Sequence, residues 1–153
     1  MSIKPIYRNL DDIKDDRFFV FGDIWKVRDE LINIPNADRV IKGRKLHFTR
    51  CIIIVQNNED NFDEDCYTIS IAPISSRTDC ERKNDVVLFK GEDGVRKDSI
   101  VMLDYIQPML KKDLYQCVGK ISEDRKYDIY ANISEIYGQP IELSETDEFK
   151  DAK

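Results

Sequence analysis

The apolar residues of this chain are divided into short runs, and this constrains the fold more than any other feature. The longest purely apolar runs, such as "FFVF" and "CIIIV", have only four or five residues. Runs of this length that are rich in β-branched residues are typical of buried strands. They are much too short to cross a membrane, which takes about 20 apolar residues. The pattern therefore predicts several short strands and no membrane span.

Five segments have the composition of strands: residues 18–29, 47–56, 66–75, 85–89 and 99–106, and residues 115–121 with the segment that follows close the domain. In the first, Gly22 predicts a bulge or a close approach of another group to the backbone. In the third, Pro73 is expected to weaken or end the strand. Residues 29–47 are predicted to form a long loop, because Pro35, Asn36 and Gly43 favour turns. Loops of this length inside a compact domain are usually functional or mobile.

The last predicted element is a helix that begins after Ser122, a good N-cap residue, and ends at Gly138, which suits the left-handed position after a helix. Its apolar side chains recur at helical spacing and predict a contact with the core or with a second subunit. These side chains are Ile129, Tyr130, Ile133, Ile136 and Tyr137. Short strands followed by one helix predict a mainly β (α+β) fold, a small twisted β-barrel with a C-terminal helix.

The chain has 153 residues, enough for one domain with a substantial core. Residues 1–17 are charged without a regular pattern and predict an N-terminal arm with at most a short helix at residues 10–14. Residues 18–138 form the predicted barrel domain. Residues 139–153 hold five acidic residues and two lysines, and they predict a flexible acidic tail.

The N-terminus lacks the apolar core of a signal peptide, and with no membrane span expected, a cytoplasmic location is predicted. The four cysteines form no CxxC pair, and the chain has a single histidine. We therefore expect neither a metal site nor a disulfide, and we expect ordinary core or boundary thiols at Cys51, Cys66, Cys80 and Cys117. No cofactor is predicted.

The net charge of −6 argues against indiscriminate nucleic-acid binding, but the charge is unevenly distributed. Residues 39–58 contain five basic residues and no acidic one: Arg39, Lys42, Arg44, Lys45 and Arg50. This basic segment has two interpretations, a solvated loop or a surface that binds an anion.

Arg50 stands where the segment "TRCIIIVQNN" becomes a buried strand. From the residues alone, its guanidinium group either reaches solvent, with its stem packed on Phe48, or is directed at an anionic group. The sequence leaves both interpretations open.

Four segments, in this order, resemble one family: "GDIW", "RCIIIVQNN", "IAPISS", and "DSIVMLDYI" followed by "KKDL" and "VGKIS". They resemble the MazF/PemK (Kid) toxins of bacterial toxin–antitoxin systems, over residues 22–138. The resemblance implies an SH3-like barrel of the CcdB/MazF type that forms a homodimer. It also implies a toxin that cleaves single-stranded RNA (mRNA) without a metal and is bound by a cognate antitoxin protein.

The resemblance assigns the catalytic positions to Arg50, Ser75 and Asp104. RNA carries its own nucleophile, the 2′-hydroxyl group, and cleavage needs a base, an acid and stabilisation of the charged phosphorane. Arg50 suits the phosphorane because its planar fork donates two parallel hydrogen bonds. Ser75 is expected to donate to the same phosphate, and Asp104 is the expected base, although it could instead cap the chain or pair with Lys111. His47 is a second candidate for the base. It lies three residues before Arg50, so within one strand the two side chains would point to opposite faces, and this argument fails only if the strand begins after His47.

Further side chains are predicted to bind RNA: Lys42, Arg44, Lys45, His47, Arg77 and Tyr105. Trp25 is a further candidate for base stacking, although a core position is expected for it. Two departures from the family pattern are Cys51, where a proline is usual, and Gln107, where the family has an arginine of the groove. The second favours an alternative function, a barrel that binds RNA or a protein such as gyrase without cleaving.

Overall fold

A computed structural model describes residues 4–138 of the chain, so the predicted acidic tail lies outside the described residues. This described part of the chain has seven strands: β1 (Asp23–Arg28), β2 (Thr49–Ile54), β3 (Thr68–Ser75), β4 (Val86–Leu88), β5 (Ser99–Val101), β6 (Gln107–Leu110) and β7 (Gln116–Lys120). The α-helices are α1 (Pro35–Asp38), α2 (Asn58–Asn61) and α3 (Glu123–Tyr137). Short 3₁₀ helices lie at Leu10–Ile13, Asp29–Leu31, Thr78–Cys80, Leu103–Tyr105 and Lys111–Asp113.

The strands form one antiparallel sheet in the order β4-β5-β3-β2-β1-β7, with β6 paired to β3. The strand β3 belongs to both parts of the sheet, because its first half pairs with β6 and its last two residues pair with β5. This sharing curls the sheet into a half-barrel. At the other end, the pairing of β7 with β1 shifts its register between Ile24 and Trp25, which leaves Val118 without an opposite residue. The prediction of a mainly β barrel-like fold with a C-terminal helix is confirmed.

The central strands are apolar on both faces, because alternate side chains of a strand point to opposite sides. In β2, Ile52 and Ile54 join one core cluster and Ile53 joins the other. The first cluster is covered by residues 29–47, which contribute the buried side chains of Ile32 and Ile34. The second cluster is covered by α3, whose Ile129 is fully buried. The long loop is therefore packed on the barrel at its start.

The C-terminal helix begins and ends as predicted. The Ser122 hydroxyl accepts the N–H of Arg125 and donates to Asp93, at 3.4 and 2.7 Å. Gly138 ends the helix with φ 72° and donates its N–H to the carbonyl of Ser134. Ile129 enters the core, whereas Tyr130 and Tyr137 are exposed.

Two predicted strand boundaries are wrong in the N-terminal half. The chain enters β1 at Asp23 rather than at residue 18, because Gly22 turns the backbone with φ 89°. The close approach predicted at Gly22 is confirmed, since a Cβ atom there would lie 2.9 Å from Cε of Lys126. The strand β3 does not end at Pro73 but continues to Ser75, and the Pro73 carbonyl accepts the N–H of Met102.

The strand predicted over residues 99–106 is also wrong, since β5 ends at Val101. The chain then makes the 3₁₀ turn of Leu103–Tyr105 before β6 begins. The sequence did not predict this turn, because a short apolar run has the same composition in a strand as in a helical turn.

The N-terminal segment contains the predicted short helix, as a 3₁₀ turn at Leu10–Ile13. Arg17 holds the end of this segment on the barrel: its guanidinium group donates to Asp15 and to the carbonyls of Lys111 and Leu114. No helix within residues 4–138 is long and apolar enough to cross a membrane.

Candidate active site

Arg50 forms an ion pair inside the protein, which neither interpretation of the sequence foresaw. Its side chain is 14% exposed, and its Nε donates to Oδ1 of Asp29 at 2.7 Å. Its Nη1 donates to the carbonyl of Ile74, at the end of β3, at 2.9 Å. These bonds use two of the five N–H groups of the guanidinium, so three remain to donate to a ligand.

Asp29 follows β1 directly and is completely buried. Its carboxylate accepts from the guanidinium groups of Arg44 and Arg50 and from the backbone N–H of His47. Burial by itself would raise the pKa of Asp29, but the hydrogen bonds from Arg50, His47 and Arg44 outweigh it and hold the pKa below its ordinary value. Asp29 is therefore charged at neutral pH and fixes the direction of Arg50.

Arg44, predicted to bind RNA, is directed into the protein and is 11% exposed. Besides Asp29, it bonds to the carboxylate of Asp38 and to the carbonyl of Ile32, both at 2.6 Å. Burial would lower the pKa of Arg44, but the two carboxylates raise it above its ordinary value. The charges of Arg44, Arg50, Asp29 and Asp38 cancel, so this cluster has no net charge.

Ser75, the second candidate catalytic residue, lies beside Arg50. Continuing the β2–β3 register, in which Ile52 is opposite Pro73, brings Arg50 opposite Ser75 on the same face of the sheet. Ser75 is half-buried, and its hydroxyl oxygen accepts the N–H of Arg77 at 3.1 Å. The hydroxyl hydrogen is therefore directed away from Arg77 and can donate to another group.

Asp104 lies in the 3₁₀ turn after β5 and is exposed. Its carboxylate accepts from Nδ2 of Asn84 at 2.8 Å, and no bond within residues 4–138 joins it to Arg50. The alternative that Asp104 pairs with Lys111 is wrong. Lys111 is buried, and its Nζ donates to the carbonyls of Asp60, Asn61 and Asp63 around the end of α2.

Tyr105 and Gln107 attach the long loop to the sheet. The Tyr105 hydroxyl donates to Oδ1 of Asn36 at 2.5 Å and accepts from Nη1 of Arg82 at 2.9 Å. The amide of Gln107 exchanges two hydrogen bonds with the backbone of Asn33, both 2.9 Å long. The oxygen and the NH₂ group of the Gln107 side chain are therefore both bonded to the backbone of the long loop.

The remaining predicted RNA-binding side chains are exposed: Lys42, Lys45, His47 and Arg77. His47 precedes β2, so the argument from alternating faces does not apply to it. Arg77 pairs with Asp79 at 3.1 Å, with both side chains exposed. Trp25 is 5% exposed and packs against Phe19, so it cannot stack on a base.

The four cysteines are free thiols. Cys51 and Cys66 are partly buried, whereas Cys80 and Cys117 are exposed, so the group lies at the boundary and surface rather than in the core. Burial raises the pKa of the Cys51 thiol. In the described part of the chain, no three His, Cys, Asp or Glu side chains are grouped so that they could hold a metal ion.

Sequence reasoning missed Asp29, Arg82 and Asp85. Asp85 is buried beside the site, and its carboxylate accepts the backbone N–H of Arg82 at 2.9 Å. Burial raises the pKa of Asp85, and the nearby charge of Asp104 raises it further. One feature of the sequence could have indicated a role for Asp29: it is an acidic residue directly after a strand.

Comparison with solved structures finds the same fold in two other proteins. A mycobacterial endoribonuclease, solved in complex with its cognate antitoxin, has 14% identity and a TM-score of 0.56, covering 82% of this chain and 98% of that chain. A chain of the MazE–MazF complex from Deinococcus radiodurans has 12% identity and a TM-score of 0.56, covering 82% of this chain and all of that one. At these identities the likeness concerns the fold alone.

The sequence itself identifies the family. A profile of the family described as PemK-like, MazF-like toxin of type II toxin-antitoxin system matches residues 22–137. This chain therefore belongs to the PemK/MazF-like toxin family, as its resemblance predicted. No curated protein sequence matches it.

Proposed function

We propose that this protein is the toxin of a type II toxin–antitoxin pair and an endoribonuclease that cleaves single-stranded RNA without a metal. The observation that carries the proposal is Arg50, which Asp29 holds opposite Ser75 with three N–H groups still available. Membership of the toxin family and the likeness of the fold to a mycobacterial endoribonuclease support it.

In this reaction a base removes the proton of a 2′-hydroxyl group, and the 2′-oxygen attacks the adjacent phosphorus. The bond from phosphorus to the 5′-oxygen breaks, and that oxygen takes up a proton. The products are a 2′,3′-cyclic phosphate and a 5′-hydroxyl end. Arg50 donates to the non-bridging oxygens as their charge increases, and Ser75 donates from the neighbouring strand.

The base is assigned to Asp104, an exposed carboxylate that Asn84 holds in place. His47 is the second candidate, because its backbone is bonded to the carboxylate that holds Arg50. The variants Asp104→Asn and His47→Gln distinguish them. The base is the residue whose replacement abolishes cleavage while RNA binding is retained.

The proposal includes two protein partners. A cognate antitoxin is expected because solved relatives include a toxin bound to its antitoxin. A homodimer with RNA lying across its interface stays a prediction, and size-exclusion chromatography with light scattering tests it.

A second candidate function is RNA or protein binding without cleavage. One observation favours it: the amide of Gln107, at a position where the family has a groove arginine, is bonded to the long loop. A nuclease leaves cyclic phosphate ends, whereas a binding protein only retards RNA in a gel. Uncut RNA at high protein excess in EDTA would reject the nuclease function.

The test of Arg50 uses Arg50→Lys. Lysine keeps the positive charge beside the buried Asp29 but cannot donate two parallel bonds to a phosphate. Single-turnover cleavage is expected to fall about a hundredfold, with a smaller loss of RNA affinity, since the lost bonds act mainly in the transition state. The matched control is Arg28→Lys on the neighbouring strand, where the arginine is exposed and paired with Glu30. If both variants cleave like the wild type, Arg50 has no role in the reaction.

A further inference from the structure

Arg82, on the loop between β3 and β4, is exposed, and its charge interacts with the neighbouring carboxylate of Asp85 without forming an ion pair. Its backbone is fixed by the bond from its N–H to the buried Asp85, and its Nη1 donates to the Tyr105 hydroxyl at 2.9 Å. None of the ion pairs formed within residues 4–138 includes Arg82. Its single side-chain bond, to a neutral hydroxyl, leaves four of its five N–H groups available.

The other arginines of the site differ from Arg82 in this respect. Arg44 and Arg50 share the carboxylate of Asp29, and Arg77 pairs with Asp79. A surface that binds RNA takes most of its affinity from cations placed against phosphates. Because the cluster around Arg50 has no net charge, this positive potential has to come from another residue.

Arg82 is connected to Arg50 through the long loop. From Arg82 the bonds run to Tyr105 and then to Asn36 in α1. Asp38, in the same helix, bonds to Arg44, and Arg44 shares the Asp29 carboxylate with Arg50. Tyr105 packs against the same core cluster as Ile52, so this network covers the face of the sheet to which Arg50 belongs.

We propose that Arg82 binds a phosphate of the RNA next to the one that is cleaved, and that the Tyr105 hydroxyl is the group that positions it. The inference rests on the proposed function, and it assigns Arg82 to substrate binding rather than to the chemical step. It also explains how the site retains a groove cation although the residue at position 107 is a glutamine bonded to the loop.

The test compares Arg82→Gln with Lys83→Gln, a neighbouring exposed residue of the same charge whose side chain forms no bond within the described residues. Binding of a single-stranded RNA oligonucleotide is measured over a range of salt concentrations, together with the KM and kcat of cleavage. For Arg82→Gln we expect affinity to fall about tenfold and the salt slope to decrease by about 0.7, the value for one lost phosphate contact on a single strand. KM should rise with little change in kcat, and Arg82→Lys should recover part of the loss.

The variant Tyr105→Phe distinguishes the role of the Tyr105 hydroxyl from that of its aromatic ring. It keeps the ring for base stacking and removes the group that holds Arg82. It should weaken RNA binding in the wild type and have no further effect when combined with Arg82→Gln. Additive losses in the double variant would show that the hydroxyl does not act through Arg82.

The outcomes for the inference and for the proposed function are distinct. If the wild type binds RNA without cleaving it, and Arg82→Gln weakens that binding, the phosphate site is supported while the nuclease function fails. If the wild type cleaves RNA and Arg82→Gln has the same affinity and salt slope as Lys83→Gln, the inference is overturned while the function stands. A wild type that binds no RNA overturns both.

Discussion

Replacing Asp29 by asparagine tests the ion-pair cluster most directly, because the amide side chain keeps the shape of the carboxylate and lacks its charge. One oxygen of Asp29 accepts from two arginines and the other accepts from the His47 N–H. An amide has only one oxygen, so in either orientation its NH₂ group faces a donor. The variant therefore loses the charge and creates a repulsive contact in a fully buried position.

The magnitude follows from these contacts. Breaking a buried ion pair by removing one partner typically costs about 3–5 kcal/mol. Arg44 keeps its bond to Asp38 and both guanidinium groups have some solvent access, so we expect the lower end, about 3 kcal/mol. For a chain of this size that corresponds to a fall in Tm of roughly 6–12 °C.

The effect should also depend on pH. The folded protein holds the pKa of Asp29 below its ordinary value, so its stabilisation is fully present above the unfolded pKa of about 3.9. It is lost as the pH falls through the lower, folded pKa. The difference in unfolding free energy between wild type and Asp29→Asn should therefore be constant near neutrality and shrink below about pH 4.

Urea denaturation followed by circular dichroism at several pH values measures both quantities. Asp79→Asn is the matched control, since Asp79 also pairs with an arginine but is exposed, and it should leave the midpoint unchanged. The reasoning is refuted if Asp29→Asn has the wild-type midpoint at neutral pH, or if its deficit persists unchanged at pH values of about 2, below the usual range of a carboxyl pKa.

Two further predictions concern stability and are checked by the same denaturation assay. Lys111→Met keeps a flexible side chain of similar volume but leaves three carbonyl oxygens without the Nζ donor. The free energy of unfolding should fall by about 2–4 kcal/mol. A wild-type denaturation midpoint would mean that water replaces the ammonium group. Gly119→Ala would place a Cβ atom 2.7 Å from the backbone oxygen of Gly94. The turn that contains Gly94 would have to move, and the free energy of unfolding should fall by about 1–3 kcal/mol. An unchanged midpoint would show that this turn can move without loss of stability.

The parts of the fold that depend on local sequence were predictable. The helix between Ser122 and Gly138 has its own capping residues, and β2 has its own run of isoleucines, so neither needs knowledge of the rest of the chain. The errors arose where a distant contact decides the structure. Pro73 is tolerated in β3 because the bond to Met102 uses the proline carbonyl as acceptor and does not need the N–H that proline lacks.

The site was predictable in position but not in its electrostatics. The family pattern named both Arg50 and Ser75, and the structure places them opposite each other, at the start of β2 and the end of β3. It gave no indication that Arg50 would pair with Asp29, which lies 21 residues away in sequence. The antiparallel pairing of β1 with β2, in which Arg28 is opposite Thr49, brings that carboxylate beside Arg50, and the register of this pairing is not encoded by local propensity or spacing.

The strand β7 has a consequence for how the chain behaves in a crowded solution. Within residues 4–138 it pairs with β1 on one side only, so its other edge presents backbone groups to which a strand of another molecule can add. The register shift at Val118 interrupts the regular spacing of those groups, and the charged Lys120 ends the strand. Irregular spacing and a terminal lysine both hinder edge-to-edge aggregation, so the sheet can remain open at β7 without acting as a template for fibre growth.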